Sequence, residues 1–162
     1  MATPTELRMG LAEGPGKGRE LPLKANQYFH RQGGAFVQII AGEASLVASG
    51  VGRVFGWAVA PKQADSKNAW KGSGTNAADK LFVIYADPEN VFAIPGREVN
   101  ASIAASWIGK GAGLCIVGAT YALTQKAQVC GAVTASPLFV VDVDADKNIL
   151  YVKVKQTKRQ GV

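Results

Sequence analysis

Phe139 to Val154 reads FVVDVDADKNILYVKV, and how its centre is read separates a helical metal-binding protein from a β protein. Asp142, Asp144 and Asp146 fall at the first, third and fifth positions of a calcium-binding EF-hand loop. Such a loop also needs a Gly at its sixth position and a bidentate Glu at its twelfth. Lys147 and Lys153 stand there instead, so the sharp turn is missing and a cation replaces the key carboxylate. The flanks Leu138-Phe139-Val140-Val141 and Ile149-Leu150-Tyr151-Val152 are aliphatic, β-branched and aromatic, which suits strands and not the two helices of an EF-hand. Asp and Asn favour turns because their side chains bond nearby backbone and tolerate left-handed conformations. The stretch therefore predicts a β-hairpin. Beyond its turn, Ile149, Tyr151 and Lys153 alternate with Leu150, Val152 and Val154, a strand with one wet face.

The same texture extends upstream. Phe36 to Ile40, Leu46-Val47, Val51 to Val59, Leu81 to Tyr85, Val91 to Ile94, Leu114 to Val117, Tyr121 to Leu123 and Ala127 to Val129 are short apolar runs separated by turn residues. Asp87-Pro88-Glu89-Asn90 is a turn, and Pro95-Gly96 stops the strand that follows. Ala101 to Ile108 suits one short helix, with Ile103, Trp107 and Ile108 on one side and Gly109 as its stop. The fold class is mainly β: a small β-barrel or sandwich of short antiparallel strands with at most one short helix and an extended N-terminal arm. Trp57, inside Val54-Phe55-Gly56-Trp57-Ala58-Val59, is expected in the core. Residues 60–80 form a long polar loop around Trp70.

The boundaries follow composition. Residues 1–34 hold Gly14, Pro15, Gly16, Gly18 and Pro22, which break helices and central strands, and form the extended arm. The pair Tyr28-Phe29 in that arm is expected to pack, on its own barrel or on a neighbour. Residues 35–155 form the β-barrel domain and 156–162 a basic tail. With 162 residues, 48% hydrophobic and 19% charged, the chain is long enough for one domain with a real core. Its start lacks the apolar stretch of a signal peptide, and no apolar run has the length of a membrane span, so synthesis in a cytoplasm and no membrane partner are expected.

The residue types that carry chemistry do not assemble into a motif. Cys115 and Cys130 sit in apolar surroundings that suit buried thiols, and a disulfide between them is possible. The single histidine, His30, lies far from both in sequence, so no metal or cofactor signature forms. Gly109-Lys110-Gly111-Ala112-Gly113 lacks phosphate-loop spacing and a following long helix, and reads as a glycine-rich turn. Ser102 and Ser106 have no nearby base, and no nucleophile elbow is present. A non-enzymatic protein is expected. The net charge of +6 admits an acidic partner. Lys147, Lys153, Lys155, Lys158 and Arg159 admit either nucleic acid or an acidic protein surface, while lysines also guard exposed strand edges. Tyr151 beside Lys153 is the one aromatic–basic pair of the kind that stacks on bases.

Leu81 to Gly96, LFVIYADPENVFAIPG, followed by SIAASWIGK at Ser102 to Lys110, a glycine-rich turn and the closing hairpin, resembles the capsid decoration (structural cement) proteins of tailed bacteriophages. The resemblance covers residues 81–155. It implies a small β-barrel on the virion surface, without catalysis or cofactor. Such proteins sit at three-fold positions, often as homotrimers, and clamp neighbouring major capsid subunits. On that reading Lys17, Arg19, Lys24 and Arg31 suit an acidic capsid exterior, and Tyr28, Phe29 and Phe36 are the candidate apolar anchors. Trp107 is an anchor in the core or at a subunit contact. The alternative is a nucleic-acid-binding β-barrel module that uses the basic C-terminal segment.

Overall fold

Strands dominate the computed structural model, which describes residues 9–29, 33–47, 53–60, 70–96, 104–117, 124–129 and 136–160. In chain order they are β1 (Gly10–Glu13), β2 (Gly18–Pro22), β3 (Tyr28–Phe29), β4 (Gly34–Ile40), β5 (Glu43–Leu46) and β6 (Gly56–Val59). Then follow β7 (Trp70–Lys71), β8 (Lys80–Tyr85), β9 (Val91–Pro95), β10 (Gly111–Val117), β11 (Thr124–Val129), β12 (Leu138–Asp144) and β13 (Ile149–Val154). They form a six-stranded sheet in the order β1-β9-β13-β12-β10-β11 and a five-stranded sheet in the order β2-β8-β6-β4-β5. A small third sheet pairs β3 with β7. All the strand pairs are antiparallel.

The Asp-rich stretch is a hairpin. Leu138 pairs with Val154 and Asp144 with Ile149, with a bulge between Val140 and Asp142. Asp142 and Asp144 lie on the strand and residues 145–148 make the turn, closed by Asn148 at φ 58°. Leu150, Val152 and Val154 point inward as the alternation predicts; Ile149 is buried as well.

The five-stranded sheet is apolar on both faces, because alternate residues serve different cores. Phe36, Trp57 and Ile84 are cross-strand neighbours and face the six-stranded sheet. There they meet Phe92, Leu138, Leu150 and Val152 in the larger core. The Phe36 ring stands edge-on to Trp57 at 4.9 Å and to Phe92 at 5.2 Å. Ala35, Val37, Ala58, Leu81 and Val83 face the other way and build a second core with Leu23 and Phe29. Single parallel bridges draw both sheets into curls: Gly96 to Ala127 in the larger, Leu23 to Ala44 in the smaller.

The N-terminal segment is extended, and where described it runs in the sheets. β1 lines the edge of the larger sheet beside β9, and β2 lines the edge of the smaller beside β8. Gly10 passes so close to the Trp57 ring that a Cβ there would lie 2.9 Å from Nε1, and its φ of 127° also favours glycine. Gly34 opens β4.

Other local expectations are refined. Ala105–Trp107 is one turn of 3₁₀ helix with no side-chain cap, too short to nucleate an α-helix; Ala101 to Ile103 lie outside the described residues. Gly111 to Gly113 belong to β10, so of this stretch only Gly109 is turn. The second half of the 60–80 loop contains β7, which pairs with β3; residues 61–69 are outside the described set. Thr124–Val129 replaces a strand expected at Ala127 to Val129, and Tyr121 to Leu123 are not described. Glu43–Leu46 is the strand expected at Leu46-Val47. The C-terminal segment turns once at Gln156–Lys158 and then docks, with Arg159 bridged to Val54. No helix among the described residues is long and apolar enough to cross a membrane.

Candidate interaction surface

Strand periodicity delivers the components of a groove at one end of the smaller sheet. On β2, Arg19 and Leu21 sit opposite Val83 and Leu81 and so share the face of the second core. On β4, Ile39 follows Ala35 and Val37 on that face. Leu21, Ile39 and Phe55 are half-buried, packed from below by the second core. Tyr85, at the end of β8, stands edge-on to Phe55 at 5.8 Å. Together they floor a groove of about 530 Å³ whose rim carries Arg19, Asp87 and Arg159.

The C-terminal segment builds one wall. Val54 N–H donates to Lys158 C=O at 3.0 Å, and Gln160 N–H to Val54 C=O at 2.9 Å. The Gln160 side chain reaches across to β4, accepting Ile39 N–H at 2.6 Å and donating to Ile39 C=O at 2.7 Å. This seats Arg159 3.5 Å from Asp87 in a partly exposed ion pair. Arg19 is exposed and has no ion-pair partner among the described residues.

A second, larger groove of about 980 Å³ lies at the hairpin and has the opposite character. Glu13, Asp142, Asp144 and Asp146 line it with Tyr151 and Lys153. Two of its carboxylates accept local backbone N–H groups: Asp142 Oδ1 that of Val143 on β12 at 2.8 Å, and Asp144 Oδ1 that of Lys147 in the turn at 3.1 Å. Among the described residues no three His, Cys, Asp or Glu side chains gather as a metal site.

Of the described partner-contact candidates, the groove takes in Arg19 alone. Lys17 is exposed beside it, its C=O accepting Tyr85 N–H at 2.9 Å. Lys24 is half-buried and its N–H bonds Ala44 C=O. Tyr28 is half-buried on β3, whereas Phe29 is wholly inside the second core and so anchors the chain to itself. Trp107 packs, half-exposed, against the larger core. Arg31 and His30 lie outside the described residues, as does Cys130; Cys115 is buried. The groove residues that sequence reasoning missed are Leu21, Ile39, Phe55, Tyr85 and Asp87; it names Arg159 only within the basic C-terminal cluster. Alternation along Leu81-Phe82-Val83-Ile84-Tyr85 could have placed Tyr85 on the face of Leu81 and Val83, but no local signal brings Arg159 to Asp87.

No protein-family model, curated protein sequence or solved structure matches this chain.

Proposed function

We propose that this chain is a non-enzymatic structural protein of a bacteriophage virion. It binds the outer capsid surface, clamps neighbouring major capsid subunits and acts as a homotrimer. The observation that carries the proposal is the groove beside β2, where arginines surround half-exposed Phe55 and Tyr85. Arg and Tyr are enriched among the residues that dominate protein–protein binding energy, and a packed apolar floor lets them act without rearrangement. The decoration-protein resemblance over residues 81–155 supplies the kind of partner. The nucleic-acid alternative is weaker, because Tyr151 and Lys153 share their groove with Glu13, Asp142, Asp144 and Asp146, which would repel phosphates.

Co-sedimentation with expanded, empty capsids of the phage tests the proposal. Saturable binding at fixed stoichiometry is expected, with sedimentation equilibrium reporting a trimer in the bound or free state. Failure to bind capsids, together with a salt-sensitive shift of DNA, would replace this reading with the nucleic-acid one.

A further inference from the structure

We propose that the groove beside β2 receives an extended segment of a partner protein in which acidic and apolar residues alternate. The inference deepens the capsid-binding reading and takes the existence of a protein partner from it.

Three observations select that occupant. The edges of the smaller sheet meet at the Leu23–Ala44 bridge and part beyond it; Arg19 and Leu21 line one side of the opening, Ile39 and Gly42 the other. β2 is paired on one side only, with β8, so its outer edge offers backbone groups that an added strand satisfies. Strand alternation in the guest then sends every second side chain down to Leu21, Ile39 and Phe55. The third observation is charge. Arg19 is unpaired among the described residues, and the Arg159–Asp87 pair leaves the rim net positive. A guest carboxylate gains a bidentate partner at Arg19, whereas a guest lysine meets repulsion.

The experiment uses the full chain and a labelled peptide of alternating Glu and Leu, with a Lys–Leu peptide as control. Nuclear magnetic resonance is expected to show the Glu–Leu peptide shifting the Arg19, Ile39 and Tyr85 amides. Arg19→Glu, at an exposed position, is expected to keep the fold and weaken peptide binding by at least ~10-fold. No shifts at these amides, or equal binding of the Lys–Leu peptide, overturns the inference. Capsid co-sedimentation separates it from the broader reading. Capsids that bind wild type and Arg19→Glu equally remove the groove as the contact but leave the decoration role. Peptide binding without capsid binding supports the groove and removes the capsid.

Discussion

Gln125 grips Phe36 through both ends of its carboxamide. Its Oε1 accepts the Phe36 N–H at 2.7 Å, and its Nε2 donates to the Phe36 C=O at 3.0 Å and to the Val47 C=O at 3.0 Å. Gln125 is 3% exposed, so these bonds form away from water and join β11 of the larger sheet to β4 of the smaller. Thus a side chain supplies the pairing that a neighbouring strand would supply.

Gln125→Ala is expected to lower unfolding free energy by about 2–4 kcal/mol, since it strands a buried N–H and weakens the bonding of two carbonyls. Gln125→Glu is expected to do at least as much harm, because it removes the donor and buries a charge. Urea denaturation measures both; a loss below about 0.5 kcal/mol for the alanine variant would show the clasp to be dispensable.

Gln160 repeats the device at Ile39 from the C-terminal segment, though in a partly exposed setting. Gln160→Ala is therefore expected to cost only about 1–2 kcal/mol. Its sharper signature is faster hydrogen exchange at the Ile39 amide and loss of the groove wall. Unchanged exchange there would mean that water substitutes fully.

The tryptophans should separate by burial. Trp57 is 1% exposed, stacks on Phe92 at 6.2 Å and donates through Nε1 to Gly33 C=O at 3.2 Å. Trp57→Ala is expected to cost about 3–5 kcal/mol, the range for emptying a packed aromatic site. Trp107 keeps one side in solvent, so Trp107→Ala is expected to cost about 1–2 kcal/mol in the free protein. Equal losses in thermal denaturation would contradict this division.

Gly10→Ala is expected to destabilise by about 1–3 kcal/mol, because the new Cβ meets the buried Trp57 ring and sits at an unfavourable φ. Trp57→Phe should relieve part of that loss by shortening the ring system. A double-mutant cycle reads the coupling, and strict additivity would break the link between the two residues.

Calcium titration is expected to give no specific heat. Backbone N–H groups of the hairpin already engage both carboxylates, Val143 on Asp142 and Lys147 on Asp144, and Lys147 Nζ lies 4.0 Å from Asp144. Micromolar binding abolished by Asp142→Ala would overturn this assignment.

Alternating apolar residues, turn chemistry and the two lysines in FVVDVDADKNILYVKV were enough to set a mainly β fold, its closing hairpin and the burial of Trp57. These depend on near neighbours: a side chain's face follows from period two, and a turn follows from the Asp and Asn inside it. The third sheet was beyond such reasoning, since Tyr28–Phe29 pairs with Trp70–Lys71 across a long stretch of chain. So was the destination of the glycine-rich arm, whose composition suits an edge strand of its own barrel as well as a drape over another. Tertiary structure decided it by offering the free edges of β9 and β8 and a cavity that Phe29 fills. It alone also made the candidate groove. Arg19, Ile39, Tyr85 and Arg159 span most of the chain, and only the curl of the smaller sheet and a glutamine side chain seated on a distant backbone bring them together.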